Sequence, residues 1–136
     1  MSYSMAAALQ AAVFQRLEAD VDLQGLVGNA IYDAAPPGNL PGTYVVLGGE
    51  DVRDRSDQGH HGAIHDFNVV VVTEMAGFQA AKTVATVVSD ALVDANLTLS
   101  RGRLVSLRFL RAKAGRLAKG TQRKVEMRFR AFVEDA

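Results

Sequence analysis

The stretch Arg123-Lys-Val-Glu-Met-Arg-Phe-Arg-Ala-Phe-Val-Glu134 alternates between apolar and polar side chains. A period of two indicates an antiparallel strand that packs one face on a core and turns the other toward water or a partner. The apolar positions after Arg123 are Val125, Met127, Phe129, Ala131 and Val133. We therefore expect this strand to organise the fold, with the rest of the chain covering its apolar face.

A second strand with the same alternation precedes it. Val105, Leu107 and Phe109 lie on one parity, while Ser106 and Arg108 lie on the other. Residues 113–120 then connect the two strands through glycines, and their charges are all basic. The sequence thus predicts a β-hairpin over residues 103–133 with one apolar side that faces the core and one basic side.

Two helices are predicted ahead of this hairpin. A helix over residues 4–20, capped by Ser4, is indicated by an apolar residue at every fourth position: Met5, Leu9, Val13 and Leu17. A helix over residues 78–95 is indicated by one apolar face: Phe78, Ala81, Ala85, Val88 and Leu92. Residues 20–28 add one short apolar turn that ends at a glycine.

The remaining elements are strands and loops. A short strand is predicted at residues 31–32, a strand with a bulge or a bend at Gly48-Gly49 over residues 43–52, and a central, very hydrophobic strand over residues 63–74. Residues 53–62 are expected to be a flexible connection. Residues 33–42 hold all three prolines and predict a loop, either a crossing connection or an arm over a neighbouring subunit.

The predicted fold class is α+β, an antiparallel or mixed β-sheet with two α-helices packed on one face. At 136 residues the chain is expected to form a single domain over residues 1–136. The absence of cysteine excludes disulfides, thiolate metal sites and a cysteine nucleophile. Because neither a signal-peptide pattern nor a long apolar run is present, we expect a cytosolic protein without a membrane partner.

The net charge of zero conceals a division of charge along the chain. Residues 1–100 hold four basic and twelve acidic residues, whereas residues 101–136 hold eleven basic and three acidic residues. Either the two parts neutralise each other inside one fold, or acidic and basic surfaces face different directions. The second alternative favours head-to-tail contact between copies, or attraction of nucleic acid by the basic side.

The sequence offers no convincing catalytic, metal or cofactor site. His61 and His65 have the spacing of a metal-binding pair on a helix, but Gly62 and the strand after it place them, with His60, on a loop and a strand. Asp66 is an acidic residue inside the central strand, and we expect it to pair with an arginine of the hairpin. No glycine motif precedes a helix in the way that phosphate binding requires.

Several segments together resemble a family of small phage tail-completion proteins. They are residues 17–33, Pro36-Pro37, Leu40-Pro41, Tyr44-Val-Val-Leu-Gly48, the strand over residues 67–73, the alanine-rich helix after Gly77, and the closing pair of strands. The resemblance spans nearly the whole chain. The sequence looks especially like the tail terminator of alphaproteobacterial gene transfer agents, which are phage-derived particles.

The resemblance implies a structural protein without catalysis, cofactor or metal. It implies a homo-oligomeric ring, usually a hexamer, that caps the tail tube and contacts the tail tube protein and a head-side connector or stopper protein. DNA would pass through the lumen and touch it transiently. The protein would assemble in the bacterial cytoplasm and end in the tail of a virion or phage-like particle.

Under this interpretation the basic side of the hairpin is an assembly surface, and it forms either the subunit interface or the lumen. The candidate residues are Arg108, Arg111, Lys113, Arg116, Lys119, Arg123, Lys124, Arg128 and Arg130. Residues 113–120 are the expected projecting contact. Two alternatives remain: a tail tube or head–tail connector subunit, and a small DNA-binding protein in which Arg108, Arg128 and Arg130 attract phosphates without sequence specificity.

Overall fold

The computed structural model describes residues 3–34, 38, 40–117 and 121–135. Within these residues the chain forms an α+β fold, as predicted. Its elements in chain order are α1 (Ala6–Ala19), α2 (Val21–Val27), β1 (Ile31–Tyr32), β2 (Thr43–Asp54), β3 (His61–Thr73), α3 (Gln79–Leu92), β4 (Arg103–Arg116) and β5 (Arg123–Asp135).

The described residues contain three helices, where two were expected. The segment predicted as one apolar turn is the separate helix α2. Asp20 explains this start, because its carboxylate accepts a hydrogen bond from the backbone N–H of Leu23 at 2.9 Å. The expected cap of α1 was also wrong, since Met5 rather than Ser4 occupies the N-cap position.

All five strands of the described residues belong to one mixed sheet with the order β1-β2-β3-β5-β4. β1 runs parallel to β2, and the other neighbours are antiparallel. β3 lies in the middle, as its hydrophobicity predicted. A register shift between Leu47 and Glu50 confirms the bulge expected at the two glycines. β2 runs on to Asp54, so the flexible connection expected after it is shorter than predicted.

The helices and the apolar parity of the strands share one core. The α1 stripe of Met5, Leu9, Val13 and Leu17 is buried, as is the α3 face from Ala81 to Leu92. They pack against the predicted apolar positions of β5, which are all at most 5% exposed: Val125, Met127, Phe129, Ala131 and Val133. The central assignment of the sequence analysis is therefore confirmed.

The prediction that the apolar parity of the hairpin is buried is only partly correct for β4. Leu107 is buried, but Val105 is 42% exposed and Phe109 is 43% exposed. β4 has register shifts against β5 between Leu104 and Ser106, where Val105 is the extra residue, and between Phe109 and Arg111. Phe109 still lies opposite Phe129, but on the outermost strand of the sheet, where the core ends.

The hairpin connection is shorter than expected. Lys113 pairs with Glu126, and β4 continues to Arg116, so residues 113–116 are strand rather than projecting loop. Residues 118–120, with the candidate Lys119, lie outside the described residues, and so do residues 35–37 and 39 of the proline-containing loop.

Candidate assembly surface

The side of the sheet opposite the helices carries most of the candidate basic residues, and we call it the open face. Residues directly opposite each other in antiparallel strands point to the same face. The pairings place one polar set there: Asp51, Asp66, Asn68, Arg108, Arg111, Lys113, Lys124, Glu126, Arg128 and Arg130. Its neighbour at the β1 end is a small apolar cluster of Ala30, Tyr44 and Val72.

Arg130 forms a two-point ion pair on this face. Its Nε donates to Oδ1 of Asp66 at 2.7 Å, and its Nη2 donates to Oδ2 at 2.9 Å. These hydrogen bonds are the main reason why the pKa of Asp66 is lowered from its ordinary value. The pairing predicted for Asp66 with a hairpin arginine is confirmed, and the charge of Arg130 is neutralised within the chain.

Arg128 is also engaged within the chain. It donates to Oδ1 of Asn68 at 2.9 Å and to Oδ2 of Asp51 at 2.6 Å. Asn68 in turn donates to Glu126 at 3.1 Å, and Glu126 lies 3.5 Å from the ammonium of Lys124. The basic residues that β5 presents on the open face are therefore compensated by acidic and amide groups from β2, β3 and β5 itself.

β4 differs from β5 in this respect. Arg108, Arg111 and Lys113 are exposed on the open face, and none of them forms an ion pair within the described residues. Arg111 lies opposite Arg128, which is already bound to Asp51. Apart from Arg53 on β2, the open-face cations that form no ion pair within the described residues therefore lie on the edge strand β4.

Two other candidates lie on the helix side of the sheet. Arg123 donates to the backbone oxygen of Met75 at 3.3 Å, and its guanidinium lies 5.6 Å from the centre of the Phe78 ring. Arg116 pairs with Arg123 in the β4–β5 register and is exposed. The open face therefore brings together Arg108, Arg111, Lys113, Lys124, Arg128 and Arg130, but not these two.

A groove between α3 and β4 was not foreseen from the sequence. Its volume is about 500 Å³, with Phe109, Ala112, Ala114, Val125 and Met127 on the strands and Lys82, Ala85, Thr86, Ser89 and Asp90 on α3. The alternation of basic residues and alanines in Arg111-Ala-Lys-Ala114 was a signal for it. That signal was hidden because residues 113–120 were assigned to a loop.

The three histidines do not form a metal site. His60 and His61 are exposed, whereas His65 is fully buried with Nδ1 3.4 Å from Oε2 of Glu50. Tyr3 donates to the other oxygen of this carboxylate at 2.8 Å, so the arrangement ties the start of the chain to β2. In the described ranges, no cluster of three or more potential ligands could hold a metal ion. No helix there has the length and hydropathy to cross a membrane.

Comparisons with known proteins point to one family. The family model described as "Tail completion protein gp17" matches residues 11–134. A chain from a solved structure of the virion of a native gene transfer agent particle is 60% identical, covers 98% of this chain and 99% of its own, and superposes with a TM-score of 0.93. A second solved structure, with 15% identity, coverage of 98% and 97%, and a TM-score of 0.54, shows a shared fold. No curated protein matches.

Proposed function

Because the chain belongs to the tail completion protein gp17 family, and is therefore a structural, non-enzymatic component of a phage-type tail, we propose that it is a tail terminator. In this role it forms a hexameric ring that caps the finished tail tube and joins it to a head-side connector or stopper protein. The observation that carries the proposal is the 60% identity, over nearly the full length of both chains, to a chain of a gene transfer agent virion.

The two edges of the sheet differ in the way that a ring requires. Contacts between two unlike surfaces repeat head to tail and close into a ring when the rotation permits. One edge is β4, with the uncompensated cations Arg108, Arg111 and Lys113. The other edge, formed by β1 and β2, carries Asp33 and Glu50 on the helix side, and Arg53 and the ion-paired Asp51 on the open face. This asymmetry supports a closed assembly of identical copies.

Two measurements test the proposed role. Native mass spectrometry of the purified chain should show a closed oligomer, with the hexamer as the expected species. Electron microscopy of particles that carry a tagged copy should place it at the head-proximal end of the tail. Long tubes formed by the isolated protein would instead indicate a tube subunit, and a copy found elsewhere in the particle would overturn the assignment.

The uncompensated cations of β4 favour one second candidate, a small protein that binds DNA without sequence specificity. In that case a monomer should bind duplex DNA with an affinity that falls steeply as salt increases, because each neutralised phosphate releases a counterion. A closed oligomer with weak DNA affinity would contradict this alternative. In the favoured role, contact with DNA is transient and occurs only while DNA passes through the ring.

A further inference from the structure

We infer that a cleft on the open face binds phosphate groups of duplex DNA, and that the open face of each copy lines the passage through the ring. This inference rests on the proposed ring and specifies which surface of each copy contacts the passing DNA. The lining of the cleft, the alignment of its cations and the distribution of charge over the fold support it.

The cleft lies where β3, β5 and β4 run side by side on the open face. Its volume is about 470 Å³, and its lining consists of Asn68, Arg111, Ala112, Lys113, Glu126 and Arg128. Three cations therefore surround it with one carboxylate. That carboxylate, Glu126, is already engaged, because it accepts a hydrogen bond from Asn68 at 3.1 Å and lies 3.5 Å from the ammonium of Lys124. Arginine and lysine in such excess suit a phosphate group.

A bulge in β4 aligns its cations on the open face. Side chains of opposite parity on a regular strand point to opposite faces, and positions 108 and 111 differ in parity. The register shift between Phe109 and Arg111 adds one residue, so Arg108 and Arg111 both lie opposite open-face residues of β5. Together with Lys113 they form a row along the edge strand. None of the three forms an ion pair within the described residues.

The two ion pairs of β5 differ in how readily a phosphate replaces the carboxylate. Asp51 is 85% exposed and contacts Arg128 through one oxygen at 2.6 Å. An exposed pair of this kind contributes little to stability, because water screens it. Arg130 instead holds the largely covered Asp66 through two hydrogen bonds. Arg128 can therefore exchange Asp51 for a phosphate oxygen, and Asp51 acts as a competitor that weakens the binding of DNA.

The charge of the whole face selects a polyanion over a single small anion. The strand pairings also place Arg53 of β2 and the ion pair Arg103–Glu134 on the open face. The face then carries eight cations and four carboxylates: Arg53, Arg103, Arg108, Arg111, Lys113, Lys124, Arg128 and Arg130, with Asp51, Asp66, Glu126 and Glu134. A small anion fills only the cleft, whereas a chain of phosphates also reaches Arg53 and Arg108 on either side of it.

The acidic residues of the fold lie mostly away from this face. Among the described residues outside it, eleven acidic residues outnumber six basic ones. When copies meet through the two edges of the sheet, the open face of one copy continues into the open face of the next. The acidic helix side of the neighbour then lies on the opposite side of the ring wall. A second copy therefore does not supply the anion, and the passing DNA does.

The open face has no group that stacks on bases. Among the described residues of this face, Tyr44 is buried, and Tyr32 and Phe132 are half-buried. The guanidinium of Arg55 lies 5.7 Å from the centre of the Phe132 ring. Contact is thus limited to phosphates, which carry no sequence information. A surface of this kind accepts DNA of any sequence.

Titration of the assembled full-length protein with a fluorescent duplex of random sequence tests the cleft. Fluorescence anisotropy is measured over a series of salt concentrations. The cleft variant is Arg111→Gln, Lys113→Gln, and Arg53→Gln, Arg108→Gln is a second open-face variant should the first fold poorly. The matched control is Lys82→Gln, Arg116→Gln, which removes the same two residue types from exposed positions on the helix side. Asp51→Asn removes the competitor.

We expect native rings to bind the duplex weakly at physiological salt and measurably at low salt. The cleft variant should bind about tenfold more weakly, and the slope of log affinity against log salt should become shallower by about two, because two phosphate contacts are lost. The control should change the affinity less than about twofold. Asp51→Asn should bind about threefold more tightly, because Arg128 is then free for phosphate.

Rings whose affinity for DNA falls equally in the cleft variant and the control would overturn the cleft and leave the ring intact. Poly-L-glutamate that binds as tightly as DNA of equal charge would indicate an acidic protein partner and overturn the assignment to DNA. Inorganic phosphate that binds the cleft when DNA does not would also overturn it. Absence of any closed oligomer of the unmodified chain would overturn the proposed function, while the same titrations would still distinguish the cleft from the control.

Discussion

Arg130 and Asp66 meet across the β3–β5 pair on the open face, joined by two hydrogen bonds of 2.7 and 2.9 Å. Their side chains are only 26% and 14% exposed. The pair ties the most basic part of the sequence to its central strand. It also gives the protein a pH dependence of stability that can be measured.

The first prediction concerns Asp66→Asn. Asp66 has a lowered pKa in the folded protein, chiefly because Arg130 donates hydrogen bonds to its carboxylate. The unfolded state therefore takes up the proton first, and the stabilising contribution is complete above the ordinary pKa of about 3.9 and is lost as pH falls through the lower folded value. The free energy of unfolding of the native protein should exceed that of Asp66→Asn at neutral pH. This difference should shrink below about pH 4.

Denaturant titrations at a series of pH values measure this difference. At neutral pH the free energy of unfolding of Arg130→Lys should lie between those of the native protein and Asp66→Asn, because lysine keeps the charge but cannot make the two-point contact. Glu18→Gln, at an exposed position of α1, is the matched carboxylate control and should change stability less. If the free energies of unfolding of the native protein and Asp66→Asn differed by a constant amount across the acidic range, the lowered pKa of Asp66 in the folded protein would be contradicted.

The second prediction concerns Gly102, in the turn before β4. Its φ is +73°, and an added Cβ would lie 2.5 Å from Sδ of Met5 and 2.6 Å from the backbone oxygen of Glu134. Gly102→Ala should therefore lower the free energy of unfolding by about 3 kcal/mol or more, from backbone strain and overlap together. Thermal and denaturant unfolding report this loss.

Two other glycines separate the two causes. Gly77 has a φ of +75° but open space around its Cβ position. Gly77→Ala should therefore introduce only backbone strain and lower the free energy of unfolding by about 1 kcal/mol. Gly25 lies inside α2 with nothing within 4 Å, and Gly25→Ala should stabilise by about 0.5–1 kcal/mol. Equal losses of unfolding free energy in Gly102→Ala and Gly77→Ala would show that the overlap of the added Cβ with Met5 and Glu134 has no effect.

The third prediction separates assembly from stability. The double variant Arg108→Glu, Arg111→Glu removes cations that form no ion pair among the described residues, so its melting temperature should stay near that of the native chain. If these residues face an acidic neighbour, the reversal should weaken subunit association about tenfold or more, because like charges then meet. Native mass spectrometry across a dilution series measures the association.

Arg128→Glu is the informative contrast. Arg128 already binds Asp51 and Asn68 within its own chain, so its reversal should lower the melting temperature whether or not rings form. Intact rings of the Arg108→Glu, Arg111→Glu variant with altered DNA passage would place these two side chains in the lumen and not at the subunit contact.

The fourth prediction compares two aromatic residues in contact. Phe129 is fully buried, and Phe129→Ala should cost about 3–5 kcal/mol of stability. Phe109 is 43% exposed and packs edge-on against it, so Phe109→Ala should cost about 1 kcal/mol. In the proposed ring, however, Phe109→Ala should weaken assembly more than its effect on folding explains.

Met75→Ala serves as the control for this comparison. Met75 is 59% exposed on the connection between β3 and α3, away from the groove lining. Its truncation should leave both stability and assembly nearly unchanged. Equal effects of Phe109→Ala and Met75→Ala on association, followed by analytical ultracentrifugation, would argue against a role for the groove.

The alternation in β5 predicted its buried side correctly because β5 pairs with β3 over its whole length without a register shift. β4 has two shifts, at Val105 and after Phe109, and no glycine or proline in the sequence marks either one. A bulge depends on the twist of the neighbouring strand, which local residue preferences do not specify. Val105 was therefore assigned to the core. Phe109 does lie opposite Phe129 but on the edge strand, and the groove that it lines was missed because residues 113–120 were assigned to a loop.

The sequence predicted which basic residues make up most of the candidate site, but not which of their charges are compensated by other residues. The sequence indicated a basic side on the hairpin, and most of these residues do share the open face. It could not show that Asp51 and Asp66, more than sixty positions away from their partners, neutralise Arg128 and Arg130. The sequence left two alternatives for the division of charge, neutralisation inside the fold or separate charged surfaces, and each holds for one strand of the hairpin. β5 is compensated within the fold, whereas β4 keeps its positive charge.

The order β1-β2-β3-β5-β4 also constrains how the protein is made. β5 follows every other strand in the chain, yet it lies between β3 and β4 and contributes five buried side chains to the core. While the ribosome is still synthesising β5, β3 and β4 have no strand between them, and the backbone groups that they will pair with β5 stay unpaired. The domain therefore completes its fold only after β5 has emerged, and nascent chains on one messenger RNA should not enter a ring before that moment.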